Sequence, residues 1–125
     1  MTIRTTMLGA MAIAALAWAS PAGALAQGAL YGAIAYSPDT GAHGYSYNYQ
    51  TKTQAENEAM RNCNKYAGDC VIATTFSNAC GAVAAGRNGW GADWGQTGYV
   101  AQQNALAMCS NYTTRCEIVR WQCTD

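Results

Sequence analysis

Six cysteines are the residues of this chain best suited to covalent chemistry, and their spacing favours disulfide bonds. Thiol redox catalysis commonly uses two cysteines separated by two residues, and no such pair occurs in the sequence. Zinc sites usually pair cysteines two to four residues apart, whereas six residues lie between Cys63 and Cys70. If the chain is exported, an even cysteine count predicts a disulfide framework without a metal or other cofactor. The predicted disulfide residues are Cys63, Cys70, Cys80, Cys109, Cys116 and Cys123.

The cysteines form two sets, and this repetition narrows the fifteen pairings that six cysteines allow. Cys109 follows Cys63 by 46 residues, and Cys116 follows Cys70 by the same 46 residues. If the two halves are equivalent, the expected disulfide pairing is one that stays the same when the halves are exchanged. The favoured set is Cys63–Cys70, Cys109–Cys116 and Cys80–Cys123. The swapped set, which contains Cys63–Cys116 and Cys70–Cys109, obeys the same symmetry and remains the alternative.

His43 is the only histidine, so a general base or metal ligand of the imidazole type would have to be this residue. Ser37, Ser46 and Asp39 are close to it in sequence, but sequence proximity does not establish a nucleophile within hydrogen-bond reach of a base. The tripeptide at 39–41, Asp-Thr-Gly, copies that of aspartic proteases, yet the second half has Arg-Asn-Gly and no second carboxylate. We therefore favour a turn at this position, predict no catalytic residue, and keep a small hydrolase using His43 as the alternative.

Aromatic residues alternate with small or polar residues in two segments. An alternation of period two predicts strands with the rings on one face. Such rings could stack on sugars or on apolar side chains of a protein partner. Because the chain has few large aliphatic residues, the same rings are also needed to fill the core, which is the interpretation we favour. The candidate binding face consists of Tyr45, Tyr47, Tyr49, Trp90 and Trp94.

The 46-residue offset relates further residues besides the cysteines, which indicates one structural unit used twice. Each half contains an apolar strand, a turn, an aromatic strand, a helix and a closing strand. The turns are Pro-Asp-Thr-Gly in the first half and Asn-Gly in the second. We predict a single small α+β domain of two β-β-α-β repeats with pseudo-two-fold symmetry, the repeats covering about 31–79 and 80–125.

The predicted helices carry a stripe of small residues that would allow close contact with a sheet. In the first repeat the stripe is Ala55, Ala59, Cys63 and Tyr66, and its counterparts in the second repeat are Ala101, Ala105, Cys109 and Tyr112. Thr53 and Glu56 have the spacing of a capping box, and Thr97 is placed to cap the second helix. Gly68 is expected to end the first helix.

The first 26 residues have the three parts of a secretory signal peptide. Arg4 precedes an apolar run that extends to Trp18, and Ala24 and Ala26 form an A-x-A cleavage site. The run is shorter than the roughly 20 residues that a membrane-spanning helix needs. We expect cleavage after Ala26, leaving a secreted or periplasmic domain at 27–125 without a membrane span. Without Arg4, six Lys and Arg face seven Asp and Glu, with no basic cluster for nucleic acid.

Four segments carry a resemblance to a known family. They are YGAIAYSPDTGAHGYSYNY, then CGAVAAG at the start of the second repeat, then GWGADWG before a predicted helix with regularly spaced alanines, and finally CEIVRWQC. The chain resembles the exported bacterial domains grouped as domain of unknown function 4189. The resemblance implies export and this fold, and it carries no catalytic residues. We expect a non-enzymatic module that binds an unknown protein or glycan partner at the cell envelope or outside the cell, with a structural envelope component as a further alternative.

Overall fold

A computed structural model describes residues 28–125, in which two helices and six strands follow the order β-β-α-β twice. The predicted signal peptide lies outside the described residues. The elements are β1 (Tyr31–Tyr36), β2 (His43–Tyr49), α1 (Lys52–Cys63), β3 (Val71–Ser77), β4 (Cys80–Ala85), β5 (Trp90–Gly95), α2 (Gly98–Ser110) and β6 (Glu117–Cys123). The predicted fold class is confirmed.

The strands form two antiparallel sheets with the same topology, in the orders β2-β1-β3 and β5-β4-β6. The last strand of each repeat, β3 or β6, contains one extra residue that shifts the pairing register at the same place. It lies opposite Ile34 and Ala35 in the first sheet and opposite Val83 and Ala84 in the second. Because an extra residue in a strand is a specific local feature, its presence in both sheets supports a common repeat unit.

Each helix packs on one face of its own sheet through small side chains. In the first repeat, Ala55 and Ala59 of α1 are fully buried against Ala33 and Ala35 of β1. Gly44 of β2 shows how close the helix is, because an added Cβ would lie under 3.0 Å from the α1 backbone. Gly91 of β5 has the same relation to α2. The small-residue stripe therefore does allow close helix–sheet contact, as predicted.

The remaining faces of the two sheets pack against each other, giving four layers in the order helix, sheet, sheet, helix. This central core contains Ile34, Tyr36 and Phe76 from the first repeat and Val83 from the second. Strand β2 contacts β6 and β3 contacts β5, as a pseudo-two-fold axis between the sheets requires. Since the largest buried side chains belong to this shared core, neither repeat would bury its apolar surface alone.

Three disulfide bonds join Cys63 to Cys70, Cys109 to Cys116, and Cys80 to Cys123. They are the set favoured from the sequence rather than the swapped one. The first two tie the last helical turn of each repeat to the start of its closing strand. Cys80 and Cys123 are neighbours in the β4–β6 ladder, where the first repeat has the pair Tyr31 and Ser77. The third disulfide therefore belongs to the second repeat alone.

The first helix begins and ends earlier than the sequence analysis predicted. Its N-cap is Thr51 rather than Thr53: Thr51 has an extended backbone, and its hydroxyl accepts from the Gln54 N–H at 3.1 Å. Thr97 caps the second helix in the same way, as predicted. The first helix ends at Cys63, so Gly68 does not cap it. The chain must turn back after Cys63 because Cys70 is bonded to it.

The tyrosines at the ends of the predicted small-residue stripes are not helical. Tyr66 follows the end of α1 and is 74% exposed. Tyr112 follows the end of α2 and is 67% exposed. Their inclusion in the buried stripes was wrong, although the two residues do occupy equivalent positions in the repeats.

Candidate binding grooves

His43 is the first residue of β2, where it pairs with Tyr36 of β1, and it is half-buried. Neither nearby serine is arranged as its nucleophile. The Ser46 hydroxyl donates to the Ala55 carbonyl at 2.6 Å, and the Ser37 hydroxyl donates to the Asp69 carboxylate. These bonds stabilise the helix–sheet contact and the first hairpin loop, respectively. The described residues therefore contain no hydrogen-bonded pair of serine and histidine.

The Asp-Thr-Gly tripeptide forms a tight turn. Gly41 has a positive φ of 77°, and its N–H donates to the Ser37 carbonyl at 2.9 Å. Asp69 reinforces this turn, because its carboxylate accepts from the Ser37 hydroxyl and from the Asp39 N–H. The Ser37 hydrogen bond is the main cause that lowers the pKa of Asp69 below its ordinary value. The turn has a structural explanation that requires no catalytic carboxylate pair.

The three tyrosines of β2 do not share one face, contrary to the sequence analysis. Tyr45 and Tyr47 stack with parallel rings on the side that faces the other sheet. At Asn48 the backbone has a φ of 61°, and the β1–β2 register shifts at this point. The resulting bulge turns Tyr49 to the opposite side, where it packs with Tyr31 against the core under α1. One extra residue in a strand reverses the side of the sheet that the following side chains face. A prediction based on strict alternation of residues does not anticipate this reversal.

A partly buried arginine meets the Tyr45 and Tyr47 pair across the gap between the sheets. The Arg120 guanidinium lies 3.5 Å from the centre of the Tyr45 ring, which is cation–π geometry. One of its nitrogens donates to the Gln122 side chain at 2.9 Å, while its Nε is buried without a hydrogen-bond partner. Sequence reasoning missed Arg120, because no motif marks it and its aromatic partner lies in the other repeat.

Two concave surfaces lie at equivalent places in the two repeats. The first, which we call the His43 groove, has a volume of about 690 Å³. It contains the predicted residues Tyr45, Tyr47 and Tyr49, and its outer wall is formed by the helix and the segment that follows it. Its residues from α1 and that segment include Glu58, Asn62, Lys65 and Tyr66.

The second surface, the Trp90 groove, has a volume of about 750 Å³ and extends from the second repeat onto the first. Trp90 forms its floor together with Tyr36, whose ring centre is 5.2 Å from that of Trp90. Burial raises the pKa of the Tyr36 hydroxyl. Met108 and Tyr112 provide one wall, and Arg87 lies on the hairpin loop at the edge. Of these residues only Trp90 was predicted.

The strand registers show how the two grooves correspond. Gly44 and Gly91 contact equivalent parts of their helices, so that His43 of β2 corresponds to Trp90 of β5. Tyr66 and Tyr112 correspond through the 46-residue offset. The two grooves therefore share a position between the start of the second strand and the end of the helix, but they differ in extent and in side chains. Trp94 lies in neither groove, toward the other end of β5, and is 49% exposed.

Within residues 28–125, no group of three or more His, Cys, Asp or Glu side chains is arranged to hold a metal ion. No helix in the described part of the chain combines the length and the apolar character needed to cross a bilayer.

The model of a family described as domain of unknown function (DUF4189) matches residues 31–123, which include every strand and helix described above. The chain belongs to the DUF4189 family. The three disulfides of this DUF4189 domain indicate folding in an oxidising, non-cytoplasmic compartment. The family description assigns no activity.

This DUF4189 chain is similar to mycobacterial proteins. Protein Rv1269c of Mycobacterium tuberculosis and Protein Mb1300c of Mycobacterium bovis are each 42% identical to it over 77 residues. These matches cover 62% of this chain and 59% of each relative, so the chain spans less than two thirds of the curated relatives' length. The NMR structure of Rv1813c from Mycobacterium tuberculosis superposes with a TM-score of 0.56 and 33% identity, covering 75% of this chain and 74% of that one.

Proposed function

We propose that this protein is an exported, non-enzymatic binding module that captures a protein or glycan partner at the cell envelope or outside the cell. In this proposal residues 1–26 form a cleaved signal peptide, and residues 27–125 form the secreted or periplasmic domain. The observation that carries the proposal is the pair of open, aromatic-lined grooves at equivalent places in the two repeats. Concave sites with aromatic walls and a few polar groups are typical of ligand binding.

Binding is favoured over hydrolysis by the surroundings of His43. A hydrolytic site needs a nucleophile and a base in mutual reach, with donors for the developing oxyanion. Ser37 and Ser46 are both buried, and both hydroxyls donate to other groups. The structural-component alternative predicts no specific groove, whereas Tyr47 and Tyr112 both remain open to a partner in these grooves.

The proposal is tested by retention of the labelled chain on cell envelopes isolated from the bacterium that makes it. If a groove binds the partner, Tyr47→Ala or Tyr112→Ala should lower affinity by about fivefold or more, which corresponds to ~1 kcal/mol at an aromatic hot spot. Tyr99→Ala is the matched control, because Tyr99 is 72% exposed and lines neither groove. Thermal melts of each variant show that the fold is intact.

His43→Ala separates the binding module from the hydrolase. We expect this variant to fold and to be retained on envelopes like the wild type. Hydrolytic turnover that is lost in folded His43→Ala would contradict the proposal. Equal retention of the wild type and all the aromatic variants would contradict it as well, because neither groove would then contribute to binding.

A further inference from the structure

The Trp90 groove carries a single charged lining residue, which is the cation Arg87. Arg87 is exposed and makes no ion pair within residues 28–125. No Asp or Glu of the described chain lines this groove. An arginine without a carboxylate partner attracts anions and can bind a carboxylate through two parallel hydrogen bonds.

The hairpin loop that carries Arg87 is held in place by the segment that follows the second helix. The Arg87 N–H donates to the Thr114 carbonyl at 3.1 Å, and the Asn88 N–H donates to the Thr113 hydroxyl at 3.1 Å. The same Thr113 hydroxyl donates to the Asn88 side-chain oxygen at 2.8 Å. This bond orients the Asn88 amide and leaves its two N–H donors for a ligand. The edge of the groove therefore presents donors in a preorganised arrangement.

Aromatic and other apolar side chains form the floor and one wall of the groove. Trp90 is held against Tyr36 with the rings inclined by 48°, so its orientation is fixed by the central core. Met108 and Tyr112 extend this surface outward. A fixed aromatic surface beside hydrogen-bond donors suits a sugar ring, which has an apolar C–H face and hydroxyl oxygens around its edge.

The equivalent groove of the first repeat has a different charge pattern. Its lining contains the carboxylate of Glu58, which is hydrogen-bonded to Arg61, together with Lys65. The residue that corresponds to Glu58 in the second repeat is Asn104, which does not line the Trp90 groove. The second repeat thus lacks the carboxylate that would repel an anionic ligand.

We propose that the Trp90 groove binds a saccharide that carries a carboxylate, with the sugar ring on Trp90 and Tyr112 and the carboxylate at Arg87. This inference rests on the proposed function and specifies its ligand class and its groove. The His43 groove is not part of this site. The charge complementarity of Arg87 and the absence of a lining carboxylate select an acidic sugar over a neutral one.

The test uses α-1,4-linked tetragalacturonate as the acidic probe and its fully methyl-esterified form as the neutral matched ligand. Both are titrated into the ¹⁵N-labelled, disulfide-bonded full chain, and the indole N–H of Trp90 is followed by NMR. We expect the acidic probe to bind about fivefold more tightly at low salt, which corresponds to ~1 kcal/mol for an exposed charge pair. The difference should shrink at high salt because exposed charges are screened.

Variants in the two grooves provide the controls; Tyr66 and Tyr112 occupy equivalent positions, and Lys65 is a cation of the other groove. Arg87→Gln should remove the preference for the acidic probe, whereas Lys65→Gln in the His43 groove should leave it unchanged. Tyr112→Ala should weaken both probes about fivefold, whereas Tyr66→Ala should change neither by more than about twofold.

Equal affinity for the two probes, binding to neither, or resonance shifts at the His43 groove would each overturn the inference. Failure here together with groove-dependent retention on envelopes would leave the proposed binding function standing with another ligand. Failure in both experiments would overturn the proposed function too.

Discussion

Replacing Phe76 should show how far the two repeats depend on their shared core. Phe76 is the only phenylalanine of the chain and is 3% exposed. Its ring lies between two glycines, Gly32 of its own sheet and Gly81 of the other, and a Cβ on either would come under 3.0 Å from it. The ring therefore fills space between the sheets that no neighbouring side chain can occupy.

Phe76→Ala should lower the free energy of unfolding by about 4 kcal/mol, since truncating a buried phenylalanine leaves a cavity as well as losing apolar contact. A domain of this size has roughly 5–15 kcal/mol in total, so the variant should lose about a quarter or more of its stability. Phe76→Leu should cost at most about 1.5 kcal/mol because it keeps most of the volume. Urea unfolding of the disulfide-bonded chain, followed by tryptophan fluorescence, measures both changes.

Gln122 is the matched control, because it occupies the position of Phe76 in the other repeat. It is half-buried and accepts from Arg120, so Gln122→Ala should cost under about 1 kcal/mol. Equal destabilisation by Phe76→Ala and Gln122→Ala would refute the conclusion that the aromatic ring dominates the central core. So would a loss of less than about 1 kcal/mol for Phe76→Ala.

Two further predictions concern the helix–sheet contact and the first turn. Gly44→Ala should destabilise the domain by about 2 kcal/mol in urea unfolding, because the added Cβ would meet the α1 backbone. Gly68→Ala is the control and should be neutral or slightly stabilising, because an added Cβ there has no atom within 4 Å. Similar effects at both positions would contradict the close contact between helix and sheet. The Ser37 hydrogen bond makes the pKa of Asp69 lower in the folded state than in the unfolded state, where it is about 4. The Asp69 carboxylate therefore stabilises the fold at pH values above the unfolded pKa. This contribution is lost as the pH falls through the lower folded pKa. The stability difference between wild type and Asp69→Asn should therefore shrink below about pH 4 in acid titrations followed by circular dichroism, and a difference independent of pH would refute this assignment.

The repeat was predictable because identical residues recur at one offset and carry local information about helix faces. Ala55 and Ala59 were placed correctly because a helix of 3.6 residues per turn puts them on one face. The same offset relates Thr51 to Thr97, and it would have identified Thr51 as the N-cap. The short-range pattern favours Thr53 because both threonines are suitable caps and Glu56 completes a capping box with Thr53.

The side of the sheet on which Tyr49 lies was not predictable from the alternation of residues. The bulge at Asn48 reverses the alternation, and Asn48 contacts the C-terminal residue Asp125 at 3.1 Å. A contact between residues so distant in sequence leaves no periodic signal near Asn48. Likewise, Arg120 and Tyr45 are brought together only when the two sheets pack.

The sequence by itself determined the repeated β-β-α-β order and the small-residue helix faces, and it narrowed the cysteine pairing to two symmetric sets, because these depend on periodicity and on one repeated spacing. Only the tertiary structure decided which aromatic rings are open to a ligand. The Trp90 groove combines Pro38, Arg87 and Met108, which come from a loop of the first repeat and from a loop and a helix of the second. Their positions relative to one another follow from the packing of one sheet on the other, and that packing is set by contacts between residues far apart in the chain.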